Sequence, residues 1–335
     1  MSAPILLQSL SVLAWMAAPV FGGYLFWRAF LARLPESERR SAALARVLGR
    51  VAIIGSATPL MVLVFWAAPL PSGRSLALPL IGLSVHASGA VAAWAAARAL
   101  RMRADWQGAF FLGGGSSNVL TFGGITVVLL LRSASDPHAE RALGEMALYR
   151  IFEAPFYFLI AWPLAGAIAG GRVGRRFRWS DVARRALRSV TLAPLLGIAL
   201  GWTLNVAGLR RPPPFDGAAE ALVKANVVLL GATVGLGLRR AAPVRHLKPC
   251  VAISSVKFAL MPALAVGLVW ALGFPGTTLQ VVAICASMPV AFMAVVGATL
   301  YRVADDLVGS FWLFTTAAMA VVVPVLAWVV PRLGG

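Results

Sequence analysis

Ten stretches of this chain are apolar over about twenty residues each: Leu6 to Phe30, Val51 to Leu70, Leu76 to Ala97, Gly108 to Leu131, Leu143 to Ile168, Val190 to Leu209, Ala218 to Leu238, Cys250 to Leu272, Leu279 to Leu300 and Leu307 to Val330. A run of that length matches the roughly 30 Å of hydrocarbon that a helix must cross. In hydrocarbon every backbone N–H and C=O has to be satisfied within the protein, and runs this long satisfy them as helices. Of 335 residues, 60% are hydrophobic and only 13% charged, which excludes a water-soluble core. The first run is too long for a cleaved signal and is followed by basic residues, so it too reads as a span.

Lys and Arg number 30 against 12 acidic residues, a net charge of +18. On a soluble protein that surplus would point to a polyanion; across a membrane its distribution decides the topology. Threading the runs back and forth leaves 21 basic residues on one side and 7 on the other, counting Arg28 and Arg150 with the side nearer to them in their runs and leaving Lys224 and Lys257 within theirs. The bias puts both termini outside and calls for no nucleic-acid partner. With 27 Arg against 3 Lys and abundant Ala the composition suggests a GC-rich bacterial genome, so the expected location is the bacterial cytoplasmic (inner) membrane with periplasmic termini. The most basic connection, residues 170–189, separates five runs in residues 1–169 from five in residues 190–335. An odd number of crossings per half forces the second half to enter with opposite polarity, the arithmetic of inverted-repeat transporters.

Two runs carry residues that an ordinary lipid-facing helix does not need. The fourth holds three glycines, then Ser116, Ser117, Asn118, Thr121, Gly123 and Gly124, and such a helix breaks easily. The ninth, its positional partner, holds Ser287, Met288 and Pro289 near its middle, followed by Phe292 and Met293. Interrupted segments at matching positions of two halves point to a midplane transport site, so these residues are read as the substrate-binding set. Ionisable groups inside runs are candidates for coupling or charge balance: Lys257, Glu153 with Arg150 three residues earlier, and His86. Cys250 and Cys285 have no metal-ligand spacing, and the three histidines fall in places that cannot converge. No metal, cofactor or catalytic centre is expected.

Pro59 in the second run, Asn118 and Gly123 in the fourth, Pro194 to Asn205, Gly231 to Leu238, Lys257 to Pro262, Met288 to Ala291, Tyr301 and Thr315 with Thr316 together resemble the auxin efflux carrier family of membrane transporters, in its short microbial form. The resemblance implies ten transmembrane helices in two inverted five-helix repeats, with helices 4 and 9 broken and crossing around an organic-anion site. Three positions depart from the family pattern, the first being Leu120, where a glycine is usual. Ile125 stands where a crossover proline is usual, and Met293 where Asn is common, so the site is less polar than the pattern.

The functional expectation is a secondary transporter, an efflux carrier moving a small organic anion or amphipathic metabolite through the bilayer by alternating access. Proton coupling and a homodimer belong to the same expectation. A sodium-coupled organic-anion symporter of the bile-acid type is the alternative, and it would need oxygen ligands at the breaks. An intramembrane serine protease is disfavoured, because Ser117 follows Ser116 where a glycine is required.

Overall fold

The computed structural model describes residues 18–68, 73–131, 138–171, 180, 192–238 and 241–333. Those residues form helices joined by short turns, with no strand among them. In chain order they are α1 (residues 18–29), α2 (Ser37–Trp66), α3 (Gly73–Ala99), α4 (Ala104–Gly115), α5 (119–131), α6 (Ala142–Ala169), α7 (Leu192–Val206), α8 (Pro214–Leu238), α9 (Leu247–Ala271), α10 (Gly276–Ala286), α11 (Phe292–Tyr301) and α12 (Asp305–Leu333). Six of the described helices, within α2, α3, α6, α8, α9 and α12, are long and apolar enough to cross a membrane; α7, α10 and α11 are apolar but shorter. Two apolar runs of the sequence are thus interrupted, Gly108 to Leu131 between α4 and α5 and Leu279 to Leu300 between α10 and α11. The basic connection lies outside the described residues except for Gly170, Gly171 and Ser180.

Three of the long helices widen by a π-turn, and each widening has the same cause. The turns Ala52–Ala57, Phe156–Ala161 and Val256–Leu260 end two residues before Pro59, Pro163 and Pro262. A proline inside a helix has no N–H to give and its ring presses on the carbonyl one turn back. Shifting to i→i−5 bonding relieves that clash without unwinding the helix, as mid-helix π-turns do. Ser56, Tyr157 and Lys257 sit on these widened turns.

The helices gather in two groups. α1, α2, α7 and α8 pack on one another, and α3 to α6 pack with α9 to α12. Without a hydrophobic drive between helices in lipid, close approach at small residues holds such groups together. In the larger group Gly89 of α3 faces Gly114 of α4, and a Cβ on Gly89 would stand 2.5 Å from the Gly114 carbonyl oxygen and 2.8 Å from Met261 Sδ. Gly89→Val is therefore expected to cost about 1–3 kcal/mol by overpacking. The midpoint of thermal unfolding in detergent should fall, while Gly22→Val, where no atom lies within 4 Å of an added Cβ, should leave it nearly unchanged.

Candidate functional site

Between α4 and α5 the chain leaves the helix for three residues, Ser116, Ser117 and Asn118. Glycine, serine and asparagine are poor helix formers, so unwinding here costs little in propensity, but it exposes backbone groups that hydrocarbon cannot satisfy. The surrounding helices satisfy them. Ser117 N donates to the Tyr157 hydroxyl at 2.8 Å, and Asn118 N donates to the Pro289 carbonyl at 2.8 Å. Lys257 Nζ donates to the Ser116 carbonyl at 2.7 Å and to the Ser117 hydroxyl, and lies 3.4 Å from Met261 Sδ. His86 Nδ1 is 3.1 Å from the Gly115 carbonyl, which can only accept, so that nitrogen carries the proton. The break therefore forms with Ile125 in place of the crossover proline, because tertiary partners do what the proline would favour.

The second break runs from Ser287 to Ala291, between α10 and α11. Val290 N donates to Thr315 Oγ1 of α12 at 3.1 Å, and that hydroxyl donates in turn to the Phe311 carbonyl at 2.7 Å. The Asn118–Pro289 hydrogen bond joins the two breaks directly. At their meeting point the first turns of α5 and α11 bring the positive ends of two half-helices together, an arrangement that favours negative charge.

A cavity of about 230 Å³ opens beside this crossing, between the two groups of helices. Leu60 and Met61 of α2 and Val223, Val227 and Leu230 of α8 make one apolar wall; Leu120, Phe292 and Met293 make the other. Polar groups reach it from three elements: Ser117 and Asn118 of the first break, Arg150, Glu153 and Tyr157 of α6, and Asn226 of α8. Asn118 is 6% exposed and its Nδ2 has no hydrogen-bond partner, so a buried donor stands unused at the cavity edge.

The α6 wall owes its geometry to a kink. Residues 150–152 leave the helix, since Pro155 cannot donate to the Ile151 carbonyl. Arg150 Nε donates to Glu153 Oε2 at 3.0 Å, and the Tyr157 hydroxyl donates to Glu153 Oε1 at 3.0 Å. A continuous chain of contacts thus runs from Arg150 through Glu153 and Tyr157 to the backbone of the break.

Of the residues singled out in the sequence, Ser117, Asn118, Phe292, Met293 and Glu153 line the cavity. Ser116 contributes its carbonyl to Lys257, and Pro289 its carbonyl to Asn118. Gly123 N donates to the Asn118 carbonyl at 3.2 Å, closing the first turn of α5. Thr121 lies on that turn, and its side chain is outside the described residues. Ser287 Oγ donates to the Ala283 carbonyl at 2.8 Å, so its hydroxyl is used within its own helix. Lys257 is completely buried and braces the break from behind, while His86 packs among Tyr149, Phe156 and Tyr157 away from the cavity. Arg150, Tyr157, Asn226 and Thr315 join the site without having been read as part of it. Asn226 had a signal in the sequence, an amide in the middle of an apolar run; Tyr157, inside Phe156-Tyr157-Phe158, had none.

The family model described as membrane transport protein, that of the auxin efflux carrier and PIN-like family, matches residues 180–327. The match covers the second break, Lys257 and Thr315. No curated protein matches the chain.

Proposed function

We propose that this multi-pass membrane transporter is a secondary carrier, working as an efflux carrier, that moves a small organic anion or amphipathic metabolite across the bacterial cytoplasmic membrane by alternating access. In this reading the chain crosses ten times as two inverted repeats, residues 1–169 and 190–335, with both termini periplasmic and the crossings formed by α4 with α5 and α10 with α11 interrupted at the midplane. The observation that carries it is the joint of the two breaks, Asn118 N to Pro289 O, beside a mostly apolar cavity with one buried amide donor unpartnered. An amphipathic anion fits both the walls and the electropositive half-helix ends.

Sodium coupling has less support. The oxygen atoms that the first break frees, the Ser116 carbonyl and the Ser117 hydroxyl, are engaged by the Lys257 ammonium, and no carboxylate of the described residues sits in either break. Uptake of a radiolabelled substrate into proteoliposomes is expected to saturate, to persist when sodium is replaced by choline, and to respond to an imposed membrane potential or pH gradient. Strict sodium dependence would promote the symporter reading, and the absence of any protein-dependent flux would remove the carrier reading.

A further inference from the structure

The cavity wall on α6 and the brace behind the break form one cluster of fixed charges, Arg150, Glu153 and Lys257. Lys257 Nζ has three neighbours to receive its three N–H groups, the Ser116 carbonyl, the Ser117 hydroxyl and Met261 Sδ, which is the complement of an ammonium. Arg150 touches Glu153 through Nε alone. Its two Nη groups, the fork that binds carboxylates bidentately, have no hydrogen-bond partner among the described residues, and the side chain lines the cavity. Both Glu153 oxygens are occupied, one by Arg150 and one by Tyr157. The other titratable groups facing Glu153 are Tyr149 and Tyr157 of its own helix, His86 of α3 and Cys285 of α10. Tyrosine and thiol are neutral at physiological pH, and His86 is held through its protonated Nδ1 while Nε2 meets no partner, as a neutral imidazole would be.

We propose that Arg150 is the receptor for the anionic group of the substrate and that the cluster is charge-matched to a monoanion: empty, it carries one net positive charge, and loaded, none. This rests on the carrier reading given above and specifies its ligand. A neutral analogue leaves the surplus charge of this largely enclosed cluster uncompensated, and a dianion replaces it with a surplus of the opposite sign, so both are discriminated against.

The test is binding to the detergent-purified full chain, measured by calorimetry with benzoate, phenylacetate and hexanoate, their amides, and phthalate and adipate as dianions. At least one monocarboxylate is expected to bind tenfold or more tighter than its amide and than the dianions. Arg150→Gln should lower that affinity at least tenfold. Glu153→Gln raises the net charge of the empty site by one, and should shift the monoanion-to-dianion preference at least tenfold toward dianions. Acids and amides binding alike, no carboxylate binding at all, an affinity unmoved by Arg150→Gln, or a preference unmoved by Glu153→Gln would overturn the proposal. The Glu153→Gln arm decides the charge matching even if Arg150→Gln does not fold, and Arg150→Lys, which keeps the charge without the fork, should then lower the monocarboxylate affinity severalfold; an unchanged affinity would remove Arg150 as the receptor. Charge-selective binding by a protein that moves nothing across liposomes would preserve this inference and sink the carrier; flux without charge selectivity would do the reverse.

Discussion

Asn118→Ala is expected to weaken substrate binding by about one to two orders of magnitude and to leave the fold as it is. The two effects separate because the residue does two jobs with different atoms. Its backbone N–H holds the Pro289 carbonyl and its carbonyl receives Gly123 N, and alanine keeps both. Its side-chain Nδ2, buried and without a partner, is the part that alanine removes. A hydrogen bond lost in a low-dielectric site leaves the ligand acceptor unsatisfied at a cost of about 1–3 kcal/mol, and each 1.4 kcal/mol is tenfold in affinity. Thermal unfolding in detergent should match wild type while the substrate concentration for half-maximal uptake rises. Wild-type uptake kinetics in this variant would show that the amide faces no ligand.

Lys257→Met should damage both stability and transport. The thioether fills nearly the same volume but donates nothing, so the Ser116 carbonyl and the Ser117 hydroxyl lose the ammonium that satisfies them inside a completely buried environment. Glu153 also loses a cation with which it interacts electrostatically. Hydrogen bonds to charged groups contribute about 1.5–3 kcal/mol each, enough to shift the population with a formed break by at least tenfold. A lower unfolding midpoint together with at least a tenfold slower initial uptake is expected, and Lys257→Gln, which can still donate to the carbonyl, should recover part of the first. A variant as stable and as fast as wild type would mean that the lysine only fills space.

The position of the breaks could be read from residue types, because three consecutive glycines followed by Ser-Ser-Asn, and a Ser-Met-Pro inside an apolar run, are locally unfavourable as helix in any surroundings. Lys257 was legible for a similar reason, since a charge in a span needs a purpose wherever it points. Tyr157 and Thr315 were not, because each acts by where it points after folding. Tyr157 meets the Ser117 amide across forty residues of sequence, and Thr315 meets Val290 N across twenty-five. Ser287 shows the converse: its type and place suggested a ligand contact, yet a helical carbonyl one turn back is within reach and accepts its hydrogen bond. The limits of α4, α5, α10 and α11 also escaped a hydropathy reading, which averages over a break of three to five residues.

The widened turns ahead of Pro59, Pro163 and Pro262 change what a gain or loss of one residue means in this chain. A π-turn holds one residue more than the α-turn it replaces, and one residue is about 100° of rotation. Deleting a single position inside Val256–Leu260 would leave composition, hydropathy and span length almost untouched, while turning one flank of α9 by more than a quarter circle against the other. Either the ammonium would swing out from behind the break, or Met261, Ala265 and Val269 would rotate away from the buried side they now occupy. In most soluble loops an insertion or deletion is a matter of length; in the middle of these three helices it is a matter of direction, so spacing there is as much a part of the chemistry as the side chains are.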